Sequence, residues 1–207
     1  MAEVKIKVGQ TGLKGILETP EAPRGLVVFA HGSGSSRLSS RNRAVAVGLQ
    51  AAGFATLLFD LLTETEDETY ANRFDIRLLT KRLVAATRWA GRKLPDTPIG
   101  YFGASTGAAA ALLAAVELKD RIRAVVSRGG RPDLAMDGLP RVTAPTLLIV
   151  GGADTEVIEL NRVAFAELRC VKRISIIPGA THLFEEPGAL ERVADLARDW
   201  FERHLTQ

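Results

Sequence analysis

Hydrophobic and polar positions alternate along the chain at two different periods. Val4, Ile6 and Val8 alternate with lysines, the pattern of a half-exposed strand, and a turn at residues 10–12 leads into a second strand at residues 13–17. Short, continuous apolar runs follow, which are typical of parallel strands covered by helices on both faces. These runs lie at residues 26–30, 55–59, 99–102, 124–126, 146–150 and 174–177. The pattern therefore predicts an antiparallel hairpin followed by a mostly parallel sheet.

Between the apolar runs the hydrophobic period becomes that of a helix. Ala44, Val47 and Ala51 form one predicted apolar stripe, which ends before Gly53, while residues 108–116 are apolar on all sides and predict a deeply buried helix. Further amphipathic helices are predicted at residues 76–90, 155–168 and 187–205. Regular alternation of strand and helix patterns predicts an α/β fold, and the lack of a linker or repeat predicts one domain over residues 1–207.

Composition narrows the class of protein without naming an activity. The chain has 207 residues, of which 46% are apolar and 25% charged, as in ordinary globular proteins. Its longest apolar run, residues 108–116, is far shorter than the roughly 20 residues that cross a bilayer, so we expect no membrane partner. A single cysteine, Cys170, excludes an internal disulfide framework. Because Met1 leads directly into a strand pattern, we expect no secretory leader and a cytoplasmic location.

The charge pattern argues against nucleic-acid binding. Lys and Arg total 27 against 24 Asp and Glu, which leaves a net charge of only +3. The densest basic stretch, residues 121–131, is not interleaved with aromatic residues that could stack on bases. We therefore expect no nucleic-acid partner, and we interpret the acidic run at residues 64–68 as an exposed loop.

The most informative motif is Gly103-Ala104-Ser105-Thr106-Gly107. It directly follows an apolar strand and directly opens a helix, the context in which Gly-x-Ser-x-Gly forms a nucleophile elbow. The glycines are needed where a Cβ would collide with the neighbouring strand or helix, and the turn raises the Ser105 hydroxyl above the sheet. In the alternative interpretation, the glycines allow tight packing and Ser105 caps the helix.

A nucleophilic serine needs a base that is held by an acid. His182 follows the last strand, and Asp154 follows another strand, after the serine and before the histidine as this architecture requires. Asp60 also follows a strand but precedes Ser105, which makes it the second choice of acid. Separately, Asp154 could cap the helix that begins beside it, and His182 could be a solvated loop residue. We expect His204, in the polar end of the last helix, to face solvent.

Small residues after the first long apolar strand predict an oxyanion hole. In the segment His31-Gly32-Ser33-Gly34-Ser35-Ser36, the backbone can approach a substrate oxygen closely. We predict that the N–H groups of Ser33 and Thr106 bind the oxyanion. A phosphate-binding loop is the competing interpretation, but the segment has neither a Lys-Ser/Thr ending nor the pattern Gly-x-Gly-x-x-Gly. His31 is interpreted as a structural support beneath this loop.

Three segments are predicted to form the walls of the substrate pocket: residues 35–38, 61–70 and 128–139. Ser35, Ser36 and Arg128 are the candidate substrate-pocket residues. Arg128 would lie near the mouth, where it could favour an anionic substrate, although a surface salt bridge is the simpler role. Only one short helix, around residues 133–136, fits between the neighbouring strands, so the site is expected to be shallow and open.

Together these residues resemble the small α/β-hydrolases of the dienelactone-hydrolase-like group. The resemblance covers nearly the whole chain and is carried by the His31-Gly32 loop, residues 100–107, Asp154 and residues 179–184. It extends to hydrolase domains that are sometimes fused to phosphoribosyltransferases. It implies an eight-stranded, mostly parallel sheet with helices on both faces and no large cap domain. Dienelactone hydrolases proper carry a cysteine where this chain has Ser105, so dienelactone itself is not the expected substrate.

The sequence thus predicts a serine hydrolase that cleaves a small carboxylic ester, lactone or thioester through an acyl-enzyme. Ser105, His182 and Asp154 form the predicted triad, and no cofactor or metal is expected. Two alternatives stay open: a catalytically weak binding or regulatory module, and an acyltransferase that uses the same triad.

Overall fold

One mixed sheet of eight strands organises the computed structural model, which describes residues 2–205. The strands are β1 (Ala2–Val8), β2 (Thr11–Glu18), β3 (Leu26–Ala30), β4 (Ala55–Phe59), β5 (Ile99–Ala104), β6 (Ile122–Arg128), β7 (Thr146–Gly151) and β8 (Lys172–Ile177). Their order is β1-β2-β4-β3-β5-β6-β7-β8, with β2 antiparallel to both of its neighbours and all other pairs parallel. The predicted hairpin and the predicted parallel sheet are both confirmed.

Helices connect the parallel strands. The α-helices are α1 (Ser40–Ala51), α2 (Glu64–Asp67), α3 (Ile76–Lys93), α4 (Thr106–Leu118), α5 (Thr155–Glu167) and α6 (Ala189–Leu205). Short 3₁₀ segments lie at Tyr70–Phe74, Lys119–Arg121 and Pro132–Arg141. None of the helices between residues 2 and 205 is long and apolar enough to cross a membrane.

The helices bury both faces of the sheet. The three helices α3, α4 and α5 contribute to a core on one face, and α1 and α6 complete a core on the other. Strands β3, β4 and β5 are buried at every residue, which is why they read as continuous apolar runs. The predicted α/β class with helices on both faces is therefore confirmed. The connection between β6 and β7 contains only the 3₁₀ segment Pro132–Arg141, which is far too short to form a cap domain.

The predicted buried face of α1 is wrong, although the helix itself exists. Val47 is 62% exposed, and Ala44 and Ala51 are exposed as well. The buried positions are Asn42, Val45, Ala46 and Leu49, which share one face at helical spacing. This face includes the only leucine of the helix and packs against α6. A polar residue, Asn42, interrupts its apolar pattern at the N-terminal end.

The acidic run at residues 64–68 is not an unstructured loop. Residues Glu64–Asp67 form α2, whose first turn is closed by a capping box between Thr63 and Glu66. Glu66 also pairs with Arg82 of α3, while Asp67 pairs with Arg73 at 2.9 Å. The Thr-x-x-Glu spacing of Thr63 and Glu66 is a known sequence signal for a helix start, so this helix could have been predicted.

Candidate active site

The three residues of the predicted triad all lie at one edge of the sheet. Ser105 follows β5, Asp154 follows β7 and His182 follows β8, each just beyond the carboxyl end of its strand. Because parallel strands all end at the same edge, the loops after them converge there, and this edge is where open α/β sheets bind ligands.

Backbone strain marks the turn that carries Ser105. This residue has φ 49° and ψ −123°, a conformation that a non-glycine residue adopts only when its surroundings enforce it. A Cβ on Gly103 would stand 2.5 Å from Cα of Ala108, and one on Gly107 would collide with the carbonyl oxygen of Ala30. The Ser105 side chain makes no capping hydrogen bond, so the interpretation of Ser105 as a helix cap is wrong.

A short hydrogen bond joins the predicted base and the predicted acid. His182 Nδ1 lies 2.7 Å from Asp154 Oδ2, and since a carboxylate only accepts, the imidazole donates from Nδ1. The Asp154 side chain does not cap α5, although Asp154 occupies the capping position. The second-choice acid, Asp60, instead accepts two hydrogen bonds from Arg37, from its backbone N–H and from Nη1, both at 2.7 Å.

The last residue of β6 and the residue after it connect Ser105 with His182. The Ser105 N–H donates to the carbonyl oxygen of Arg128 at 3.3 Å, and a Cβ on the next residue, Gly129, would stand 3.6 Å from Cε1 of His182. Within the described residues, 2–205, the Ser105 hydroxyl makes no hydrogen bond to the imidazole of His182. Catalytic hydrogen bonds between a nucleophile and its base are often long until substrate binds.

The predicted oxyanion donors border the same small cavity. Ser33 and Thr106 both line a cavity of about 10 Å³, which is about the space that one water molecule needs. Neither N–H has a protein acceptor among the described residues. The loop lies close above the elbow, since a Cβ on Gly32 would stand only 2.9 Å from Cβ of Ser105. Unpaired backbone N–H groups are the kind of donor that can stabilise an oxyanion.

His31 anchors the loop from below, as predicted. Its Nε2 accepts the N–H of Leu61 at 3.0 Å, and its Nδ1 lies 2.9 Å from the carbonyl oxygen of Gly32. These two contacts require a neutral imidazole, protonated at Nδ1. Burial lowers the pKa of His31, which favours the same neutral form.

Two of the three predicted pocket walls border one cavity. Ser35 and Ser36 line a cavity of about 230 Å³ together with residues of the segment 60–67, among them Thr63 and Asp67. The third predicted wall is displaced: Leu134 lines a separate groove of about 530 Å³ with Phe74. The cavity that Ser35 and Ser36 border is therefore small, and the third predicted wall takes no part in it.

Arg128 does not lie at the mouth of the pocket, and the expected surface salt bridge is wrong. The residue is only 6% exposed and has no carboxylate partner in the described part of the chain. Its Nη2 lies 3.4 Å from Asn42 Oδ1, and its guanidinium carbon lies 5.8 Å from the ring centroid of Phe184. Burial and the charge of Arg41 lower the pKa of Arg128 to about 10.

Arg73 lines the site and was missed by the sequence analysis. Its Nε donates to the carbonyl oxygen of Asp67 and its Nη2 to the carboxylate of the same residue. Its Nη1 lies 3.7 Å from the position of a Cβ on Gly34, so it faces the oxyanion loop. No motif surrounds Arg73 in the sequence, and only the fold of the segment 63–74 brings it to the site.

His204 lies outside the site and is less solvated than expected. Its ring centroid lies 4.4 Å from that of Trp200 in a tilted arrangement, its Nε2 is buried without a partner, and burial lowers its pKa. It lines a cavity of about 280 Å³ with Ile122 and Pro145, at the opposite edge of the sheet. No group of three or more His, Cys, Asp or Glu side chains within residues 2–205 could hold a metal ion.

Comparison with known proteins agrees with this architecture. Residues 25–173 match the family model of the α/β hydrolase fold. The chain is also 60% identical, over 206 residues, to a putative phosphoribosyl transferase described from two strains of Mycobacterium tuberculosis. That alignment covers 98% of this chain but 46% of the relative, so the chain spans about half the length of the curated relatives that it matches.

Solved structures give a closer match in length. A dienelactone hydrolase from Anabaena variabilis is 56% identical, superimposes with a TM-score of 0.96 and covers 99% of this chain and 97% of its own. Est1E from Butyrivibrio proteoclasticus is 18% identical with a TM-score of 0.87 and covers 100% of both chains. At that identity the second match shows a shared fold alone.

Proposed function

The chain belongs to the α/β-hydrolase fold family, and from this premise we propose that it is a serine hydrolase acting on a small carboxylic ester, lactone or thioester. The observation that carries the proposal is the 2.7 Å pair between His182 Nδ1 and Asp154 Oδ2, at the sheet edge where the strained turn presents Ser105. The similarity to a dienelactone hydrolase at 56% identity supports the same class of reaction.

The proposed reaction proceeds through an acyl-enzyme. With Nδ1–H donated to Asp154, the Nε2 of His182 is the free basic nitrogen, which takes the proton from Ser105 as its Oγ attacks the carbonyl carbon. The N–H groups of Ser33 and Thr106 stabilise the negative oxygen of the tetrahedral intermediate. The imidazolium then protonates the leaving alcohol or thiol. Water, activated by the same imidazole, attacks the acyl-enzyme and releases the acid.

Cavity size supports a short acyl group. Only about 10 Å³ is free beside the oxyanion donors, and the neighbouring cavity of about 230 Å³ falls below the 300 to 1,000 Å³ of ordinary drug-sized ligand pockets. The proposed partner is therefore a small, water-soluble ester, and we propose neither a nucleic acid nor a membrane as a partner. The single cysteine agrees with a cytoplasmic location.

Hydrolysis is preferred to acyl transfer because the base is open to solvent. The His182 side chain is 39% exposed, so water can reach the acyl-enzyme directly. Product analysis with a competing alcohol separates the two: free acid as the main product supports hydrolysis, and a transferred ester supports the acyltransferase.

The decisive experiment is covalent labelling of Ser105. A fluorophosphonate should label the native protein at Ser105, and Ser105→Ala should lose both the label and roughly 10⁴- to 10⁶-fold of kcat on p-nitrophenyl acetate. Ser127→Ala is the matched control, because Ser127 is buried on the adjacent strand and has no proposed role. An unlabelled and inactive protein would remove the proposal and leave a binding or regulatory module, whereas ordinary activity in Ser105→Ala would show that another group carries the reaction.

A further inference from the structure

The segment of residues 128–131, which begins at the last residue of β6, lies between the strands that lead to Ser105 and to Asp154. In the sheet, β6 runs between β5, which leads to Ser105, and β7, which leads to Asp154. The Arg131 N–H donates to the carbonyl oxygen of Ser105 at 3.0 Å, and the Gly129 N–H donates to that of Ile149 at 2.8 Å. The Ser105 N–H also donates to a carbonyl oxygen of this segment, that of Arg128. The position of the segment therefore fixes Ser105 relative to β7.

The same segment supports the loop that carries His182. A Cβ on Gly129 would stand 3.1 Å from the carbonyl oxygen of His182 and 3.2 Å from Cε2 of Phe184, so the two parts of the chain are in close contact. Phe184 has φ 57°, a conformation that is strained for a bulky residue, and its ring is 1% exposed. Such a conformation persists only where the surrounding packing enforces it. The packing around Phe184 therefore sets the path of the loop.

Arg128 provides the polar side of that packing. Its guanidinium lies over the Phe184 ring, donates weakly to Asn42 of α1, and has no hydrogen-bond partner at Nε. A buried cation without a carboxylate is costly, and an apolar side chain of similar size would fill the space at lower cost. The position is thus poorly explained by stability alone, whereas the ring of Phe184 gives the charge a favourable partner.

We propose that Arg128 is a positioning residue that holds Phe184, and through it His182, at the level of the Ser105 hydroxyl. The inference rests on the proposed serine-hydrolase function and deepens it. Arg128 touches neither substrate nor the reacting atoms: its backbone carbonyl fixes the elbow, and its side chain fixes the histidine loop. One residue thereby sets the distance between nucleophile and base.

The first test compares two arginines of the same strand. Arg128→Met should lower kcat on p-nitrophenyl acetate by about 10- to 100-fold, the scale of a displacement of one ångström at a reacting group, while KM stays within about twofold. Arg123→Met is the matched control, because Arg123 is exposed near the other end of β6 and should keep full activity. Arg128→Lys, which keeps a cation near the ring, should recover most of the loss.

The second test is a double-mutant cycle with Phe184→Leu, which keeps an apolar side chain but removes the ring. If the two residues act as one unit, the double variant loses about as much kcat as either single variant, and the losses do not add. The proton resonance of His182 Nδ1 should broaden in both single variants. Full kcat in Arg128→Met, or additive losses with an unchanged resonance, would overturn the inference.

Failure of this inference can be told apart from failure of the proposed function. If native protein hydrolyses the ester and labels at Ser105 while Arg128→Met does so equally well, only the positioning role is wrong. If native protein shows neither property, the serine-hydrolase proposal itself is wrong. Should Arg128→Met fail to fold, Phe184→Leu carries the test, and a normal kcat with an unchanged Nδ1 resonance in that variant would again overturn the inference.

Discussion

His31 makes the stability of the protein depend on pH. The fold binds its neutral form, with Nε2 accepting the Leu61 N–H, and burial lowers its pKa below the ordinary value of 6.5. A group whose pKa is depressed on folding contributes stability above its unfolded pKa and loses it as the pH falls. We therefore expect the free energy of unfolding to decrease as the pH falls from about 7 to about 5.

The measurement is urea unfolding across that pH range, with two variants. His31→Gln should flatten the pH dependence and also lower activity, because the oxyanion loop loses its anchor. His204→Gln removes a second half-buried imidazole whose pKa is also lowered, so it too should reduce the slope, but with activity unchanged. An unaltered slope in His31→Gln would mean that the imidazole is not held neutral by the fold.

Asp154 and Asp60 can be separated by a single pair of variants. Asp154→Asn removes the charged acceptor of the His182 Nδ1–H bond and should lower kcat by about 10⁴-fold, the cost of losing the acid in such a triad. Asp60→Asn is the matched control, because its carboxylate binds Arg37 instead, and it should change kcat by only a few-fold. The reverse result in steady-state kinetics would assign the acid to Asp60.

At the scale of elements, two helix caps should have unlike effects. Thr63 caps α2, a helix of four residues without a buried side chain, whereas Ser39 caps α1, which packs in the core. Ser39→Ala should lower the free energy of unfolding by about 1 kcal/mol, the usual cost of a lost cap. Thr63→Ala should instead accelerate amide exchange over residues 64–68 with little global change. Equal global losses would show that α2 is part of the cooperative core.

The strands could be predicted from the sequence because burial on both faces leaves a direct record in composition. Residues 26–30 are apolar throughout and residues 146–150 are apolar after Thr146, and both runs lie within observed strands. The buried face of α1 could not be found in the same way, because Asn42 heads it and the apolar Val47 is exposed. Where polar residues enter a core, the hydrophobic period alone points to the wrong face.

In the candidate site, too, some residues could be predicted from local sequence and others could not. The turn at Ser105 requires particular residue types, and the order of Asp154 and His182 in the chain follows from strand topology, so all three could be proposed in advance. The burial of Arg128 and the approach of Arg73 to the oxyanion loop depend on which loops pack together. Neither follows from local spacing, because each contact joins segments that are distant in the chain.

At the scale of the whole molecule, the sheet that carries the site lies between the two hydrophobic cores. Ser105 is thus held from both faces: α4 packs on one, and Arg128 with Phe184 lies on the other. The single domain over residues 1–207 stays a prediction. The chain spans about half of its curated relatives, so what those longer proteins do as a whole does not transfer to it directly.

The openness of the site predicts a preference for short acyl groups. A connection of one 3₁₀ segment, Pro132–Arg141, cannot enclose a long chain, and the cavity next to Ser33 and Thr106 is about 10 Å³. Each methylene that is buried would add about 0.8 kcal/mol of binding, so a deep apolar tunnel would raise kcat/KM steadily with chain length. We expect the opposite: kcat/KM should be highest for acetyl or propionyl esters and should fall for longer chains.

The measurement is kcat/KM for p-nitrophenyl esters from about two to about sixteen acyl carbons, a span over which buried methylenes would dominate the binding energy. The groove of about 530 Å³ beside Leu134 and Phe74 offers the internal control, because it is large and partly apolar and is lined by residues of the third predicted wall. Leu134→Asp should leave the whole series unchanged. A rate that rises to the longest ester in native protein and loses that rise in Leu134→Asp would show that acyl chains lie in this groove, and the site would then be a lipid esterase rather than one for small soluble esters.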